Sequence, residues 1–286
     1  MKIYDRRSGE YLNVEQYGSG KLEFLYNNAF GRMLLWLAVS PLVSGIYGCI
    51  NSLPSSAKKI PDFIKDNGID TEDFEPRDYR SFNDFFTRRI RPGRRPIDSN
   101  PEAFISPADS KVSVYDIDSD TKLFIKGRDY TLDEIVGEGT DTHEFAGGKA
   151  FVYRLCMDDY HRYCFPDSGK VISTKKIKGK LHTVSPISKD HKIYKENTRS
   201  VSVLETDNIG KVIYIEVGAL LVGKIVDHGA KDFERGQEKG YFEPGGSTIV
   251  VITKGNIDVD KDILEQSKNG IETSVRYGER IGTVRC

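Results

Sequence analysis

The sequence predicts an α+β fold, with a helical N-terminal region over residues 1–95 followed by a mostly antiparallel β domain over residues 96–286. Three observations predict it. Up to about residue 95 the apolar positions fall at helical spacing or in one uncharged run. From about residue 100, short β-branched runs recur between Gly, Asp and Asn. The alternation of strand and long helix that marks a doubly wound fold is missing. With 286 residues, 38% hydrophobic and 30% charged, the chain is long enough for a sizeable core and lies in the ordered globular range.

The first twenty residues carry Lys2, Asp5, Arg6, Arg7, Glu10 and Glu15, and lack the apolar run of a secretory signal. Met33 to Ile50 is uncharged and reaches the lower edge of transmembrane length. Pro41 breaks or kinks a helix there, and Ser40, Ser44, Gly45 and Gly48 make the second half polar. Three readings stand: a helical hairpin buried on the protein, a monotopic segment with Trp36 and Tyr47 near lipid headgroups, and a true span. Ile60 to Lys65 reads as a short helix with Pro61 in its first turn and Gly68 ending it. Ser81 caps a further helix whose Phe82, Phe85, Phe86 and Ile90 share one face and dock on the core. Arg88, Arg89, Arg91, Arg94 and Arg95 follow, read either as a solvated face or as an attraction to anionic headgroups.

The strands expected beyond are Lys111 to Tyr115, Leu123 to Lys126, Ala150 to Arg154, Val201 to Leu204, Val212 to Val217 and Thr248 to Ile252. Forty-two basic against forty-three acidic side chains give a net charge of -1, so no global field recruits nucleic acid. Cys49, Cys156, Cys164 and Cys286 form no close pair, which fits reduced thiols inside a cell and no zinc knuckle. Phosphate-loop and dinucleotide fingerprints are absent, and His143-Glu144 is not completed into a zinc helix.

The informative stretch is Phe233 to Thr248, a glycine-rich turn that runs into an apolar strand. Gly245-Gly246-Ser247-Thr248 reads as an ordinary hairpin entry or as a reactive bond. In the second reading the Ser247 hydroxyl attacks the Gly246 carbonyl, because glycine opposes the required backbone strain least. The amide becomes an ester, and β-elimination then frees the Gly246 carboxylate and leaves dehydroalanine. Hydrolysis of that residue yields ammonia and an N-terminal pyruvoyl group.

Several blocks in order now identify the chain by resemblance: Ser81-Phe-Asn-Asp-Phe-Phe-Thr-Arg88, Arg95-Pro-Ile-Asp98, Ser106-Pro-Ala-Asp109, Asp159-Tyr-His-Arg162, Val217-Gly-Ala219 and Gly236-Gln-Glu-Lys-Gly240 leading to Gly245-Gly246-Ser247-Thr248. Together they resemble the phosphatidylserine decarboxylase proenzymes over nearly the whole chain. The resemblance implies self-cleavage at Gly246-Ser247 into a β chain of residues 1–246 and an α chain of 247–286, with Ser247 becoming the pyruvoyl group. It also implies phosphatidylserine as substrate, phosphatidylethanolamine as product, and a peripheral or monotopic place on the cytoplasmic face of a membrane. Neither pyridoxal phosphate nor a metal is expected, since the pyruvoyl ketone is the electron sink. A homodimer is left open.

Asp109 and His161 occupy the family positions for the orienting carboxylate and the base of a Ser-His-Asp arrangement. The sequence departs from the pattern twice. Ser110 stands where the family often has glycine, and Cys164 stands where many members carry a second histidine that bacterial relatives use as the triad base. His161 is therefore expected to be the self-cleavage base, with Asp109 fixing its tautomer and His182 assisting one of the two reactions. His143, His191 and His228 read as ordinary surface or packed side chains, and Cys164 as a buried thiol. Two other readings remain beside this one: a pyruvoyl enzyme acting on a soluble amino acid, and a non-catalytic, membrane-binding β domain in which residues 245–248 are only a turn.

Overall fold

The computed structural model describes residues 1–14, 24–125, 128–183, 191–220, 224–245 and 247–285. Among these, ten strands form one sheet, in the order Asp232–Phe233, Gly169–Ile177, Arg199–Thr206, Gly210–Gly218, Ser247–Thr253, Lys149–Leu155, Ser110–Asp116, Glu272–Val275, Lys2–Asp5 and Glu10–Asn13. Neighbours are antiparallel except Lys2–Asp5, which runs parallel to Glu272–Val275. Each apolar run expected to be a strand is one, with Lys122–Ile125 forming a separate hairpin with Arg128–Thr131. Lys126 lies outside the described residues.

The strand Ser247–Thr253 sits in the middle of the sheet and is buried along its whole length. Its run of Ile249, Val250, Val251 and Ile252 is covered on both faces, which explains why it is continuous rather than alternating. A second sheet, Ile225–Asp227 with Glu238–Phe242 and Arg162–Cys164, lays the Tyr-His-Arg segment beside the chain that leads to Ser247.

The N-terminal region, expected to be helical and irregular, begins with strands: residues 1–13 form a hairpin that extends the main sheet. Helices follow at Ala29–Ala38 and Pro41–Asn51. Pro41 starts the second one, and Ser40 caps it by accepting from the Leu42 amide, so the uncharged run is two short helices. No helix among the described residues is long and apolar enough to cross a membrane. The pair is buried on one side only: Leu35 and Ser44 are covered, while Phe30, Met33, Leu42, Ile46 and Ile50 are exposed. Tyr47 is half-buried, and the Trp36 side chain lies outside the described residues.

Ile60–Asn67 is a helix with Pro61 in its first turn and Gly68 closing it in the left-handed region. Ser81 caps Phe82–Phe86, whose three phenylalanines are buried. That helix stops before Ile90, which instead bridges Phe74. The arginine run is neither one solvated face nor one basic patch. Arg88 is buried and Arg95 is held between Asp73 and Asp109, while Arg89 and Arg94 are exposed.

Candidate active site

Ser247 is the first residue of the central strand and pairs with Gly218 on one side and Leu155 on the other. Its side chain is completely buried, and Oγ has no hydrogen-bond partner among the described residues. Gly245 has a φ of 143°, a conformation that side chains oppose. Gly246, the expected carbonyl donor, lies outside the described residues.

His161 follows the turn that leaves the strand Lys149–Leu155. The Phe242 amide donates to its carbonyl at 3.0 Å, which fastens it to the segment running on to Ser247. Its Nδ1 lies 2.9 Å from the Asp159 carbonyl. A carbonyl only accepts, so Nδ1 carries the proton and Nε2 is left with its lone pair. Nε2 is buried and makes no hydrogen bond among the described residues, although the Gly245 backbone approaches the ring. Burial, reinforced by the Arg88 charge, depresses the imidazole pKa to about 3. The ring packs on Phe86 with centroids 4.2 Å apart. The outcome is a neutral imidazole with an open basic nitrogen.

Asp109 does not orient this ring. Its carboxylate takes three hydrogen bonds from Arg95, at 3.0, 3.1 and 2.7 Å, and one from the Tyr277 amide at 2.8 Å. The forked guanidinium meets both oxygens, a geometry that a single imidazole N–H cannot match. The expected tautomer-fixing role falls to the Asp159 main chain. Asp109 instead belongs with Cys164, because the Cys164 amide donates to Pro107 and Tyr277 contacts both residues. Burial pushes the Cys164 thiol well above its ordinary pKa, so it is no base at neutral pH.

His182 reaches the site through Asn197. The Asn197 amide group donates to both the His182 and Gly218 carbonyls at 2.8 Å, and Gly218 is the strand partner of Ser247. Burial, with His191 beside it, lowers the His182 pKa to about 4. Its Nδ1 lies 3.3 Å from the Tyr26 hydroxyl.

Three residues of the site were not singled out from the sequence. Arg88 is buried between Phe74 and Phe85 and donates to the Asp158 and Asp159 carbonyls, so it shares the Asp159 oxygen with His161. Lys111 holds both Asp159 carboxylate oxygens, at 2.6 and 2.7 Å. Arg88 was read only within the arginine run and a quoted block, Asp159 only within a block, and Lys111 only as the start of a strand.

The profile of the phosphatidylserine decarboxylase family matches residues 82–283. The chain belongs to that family. It is 50% identical over 285 residues to phosphatidylserine decarboxylase proenzyme 2 of Clostridium acetobutylicum, covering 99% of this chain and 98% of that protein. It is 40% identical over 292 residues to a phosphatidylserine decarboxylase proenzyme of Clostridium botulinum, with 99% of each chain covered. A proenzyme of the same name from Fusobacterium nucleatum is 38% identical over 291 residues, covering 99% of this chain and 97% of the other.

Proposed function

We propose that the chain cuts itself between Gly246 and Ser247 and then decarboxylates phosphatidylserine to phosphatidylethanolamine at a membrane surface. The observation that carries this reading is the Ser247 hydroxyl, buried and unpartnered among the described residues at the head of the central strand, two residues after Gly245, whose backbone meets the neutral His161 imidazole.

In the first reaction His161 Nε2 accepts the proton as Ser247 Oγ attacks the Gly246 carbonyl, and the amide becomes an ester. Removal of the Ser247 α-proton then expels the Gly246 carboxylate and leaves dehydroalanine. One water completes the hydrolysis and ammonia departs, leaving residues 1–246 and 247–286 as separate chains. A pyruvoyl group fits this position, since it is built from Ser247 itself and the pairings to Gly218 and Leu155 hold the residue on both sides. Such a group supplies a ketone that withdraws the electrons released with carbon dioxide. The surrounding side chains exclude water and keep His161 uncharged at rest, and its Nε2 takes a proton from the substrate ammonium as the amine attacks and returns it to the product carbon.

The exposed apolar side chains of Ala29–Ala38 and Pro41–Asn51 support membrane association from one side, and no span is needed for it. Intact mass under denaturing conditions tests the first reaction. Two chains are expected, the smaller lighter by one ammonia than a chain starting with serine. Ser247→Ala should stay intact and inactive; its normal splitting would overturn the mechanism. Hydroxylamine should inactivate the processed enzyme, and added pyridoxal phosphate should leave activity unchanged.

A further inference from the structure

His182, His191 and Glu196 bring one donor atom each to within 4.8 Å of the others. Glu196 ends the short helix Ile193–Glu196, and its Oε1 is occupied by the Lys192 amide at 3.1 Å. Its Oε2 faces both histidines, 3.8 Å from His182 Nε2 and 3.7 Å from His191 Nδ1. These gaps are too long for hydrogen bonds. They approach the separation of ~3.3 Å between ligand atoms on a tetrahedral ion with bonds of 2.0–2.1 Å. His182 Nε2 is buried and has no hydrogen-bond partner among the described residues.

From this geometry we infer that His182 Nε2, His191 Nδ1 and Glu196 Oε2 form a binding site for a divalent transition-metal ion, with zinc the best match to two imidazoles and a carboxylate. The supporting shell is in place. The Tyr26 hydroxyl accepts from the Thr183 amide at 3.0 Å and lies 3.3 Å from His182 Nδ1, so it can also take the Nδ1 proton and turn the Nε2 lone pair to the ion. Asn197 grips His182 from both sides, accepting from its amide and donating to its carbonyl. The two imidazoles stack with centroids 3.9 Å apart and planes 18° apart. Binding an ion therefore requires the more exposed His191 to swing outward until both lone pairs converge. A second cluster, Cys156 with Asp158 and Asp159, is a poor cation site because Lys111 and Arg154 occupy it. Three protein ligands leave a fourth position open, and the bound ion would join His182 to His191 and Glu196 and, through Tyr26, to the N-terminal region.

The test is a titration of metal-free, full-length protein with zinc against a chromogenic chelator, repeated with cobalt for its visible absorption. One ion per chain is expected, with cobalt showing the bands of tetrahedral nitrogen and oxygen coordination. His191→Ala and Glu196→Gln should each weaken zinc at least tenfold and abolish those bands. Tyr26→Phe should weaken zinc roughly tenfold, as loss of an outer-shell partner does, and Cys156→Ser should have no effect. Both ligand substitutions are at part-exposed side chains, and circular dichroism of each variant verifies the fold. Absence of saturable uptake, or undiminished affinity in either ligand variant, overturns the site. Because binding is read directly, this outcome is independent of whether the chain cleaves itself.

Discussion

Replacing His161 by phenylalanine keeps a ring against Phe86 and removes only the nitrogen chemistry. Loss of a positioned general base slows a reaction by ~10²–10⁴-fold, so the intact chain should accumulate over a time course in which the wild type is fully split. The wild-type pH profile sharpens the argument. An imidazole at its reference pKa of ~6.5 is only about 3% neutral at pH 5, which would slow cleavage roughly thirtyfold from its plateau. With the His161 pKa at about 3, the ring stays neutral and the rate at pH 5 should remain within twofold of that at pH 8. The assay is cell-free synthesis of the chain, transfer to buffers across this range, and densitometry of the two products on denaturing gels. A rate that halves near pH 6.5, or normal cleavage in His161→Phe, would refute the assignment of this buried nitrogen as the base.

The same depressed pKa has a consequence for stability. Between about pH 6.5 and 3 the unfolded chain takes up a proton at His161 that the folded chain does not, so this residue makes stability fall with falling pH, by at most ~1.4 kcal/mol per unit. Asp159, whose pKa burial raises to about 6, acts oppositely, its contribution being lost as pH rises through that value. Thermal unfolding of Ser247→Ala with and without His161→Phe should show the acid slope reduced in the double variant. Asp109→Asn leaves the Arg95 guanidinium short of a charge partner, and the expected loss is ~3–5 kcal/mol in denaturant unfolding; cleavage should slow only as far as folding does. Replacing exposed Phe30, Leu42 and Ile46 by serine should weaken binding to phosphatidylserine vesicles in flotation while self-cleavage continues, and equal loss of both would make that surface part of the folding core.

Local order is what the sequence by itself determined. The β-branched runs became strands, covered on both faces in Ser247–Thr253 and alternately exposed in Lys122–Ile125, Pro41 and Ser40 divided the uncharged run at the expected point, and the glycine pair ahead of Ser247 marked the bond proposed to be cut. Helix termini, strand runs and reactive turns are written in neighbouring residues, so they can be read in one dimension. Pairings between distant residues were decided only by tertiary structure. Asp109 was matched to His161 by family position, yet Arg95 reached it first with two oxygens' worth of hydrogen bonds, and the Asp159 carbonyl took over the imidazole. The arginine run divided into buried Arg88, ion-paired Arg95 and exposed Arg89 because the sheet, not the run, decided which side chains met carboxylates. Residues 1–13 joined the main sheet because Glu272–Val275 offered an unpaired edge from the far end of the chain. A charged or polar side chain is compatible with many partners, and the free energy of choosing among them depends on distances and burial that exist only once the chain has folded.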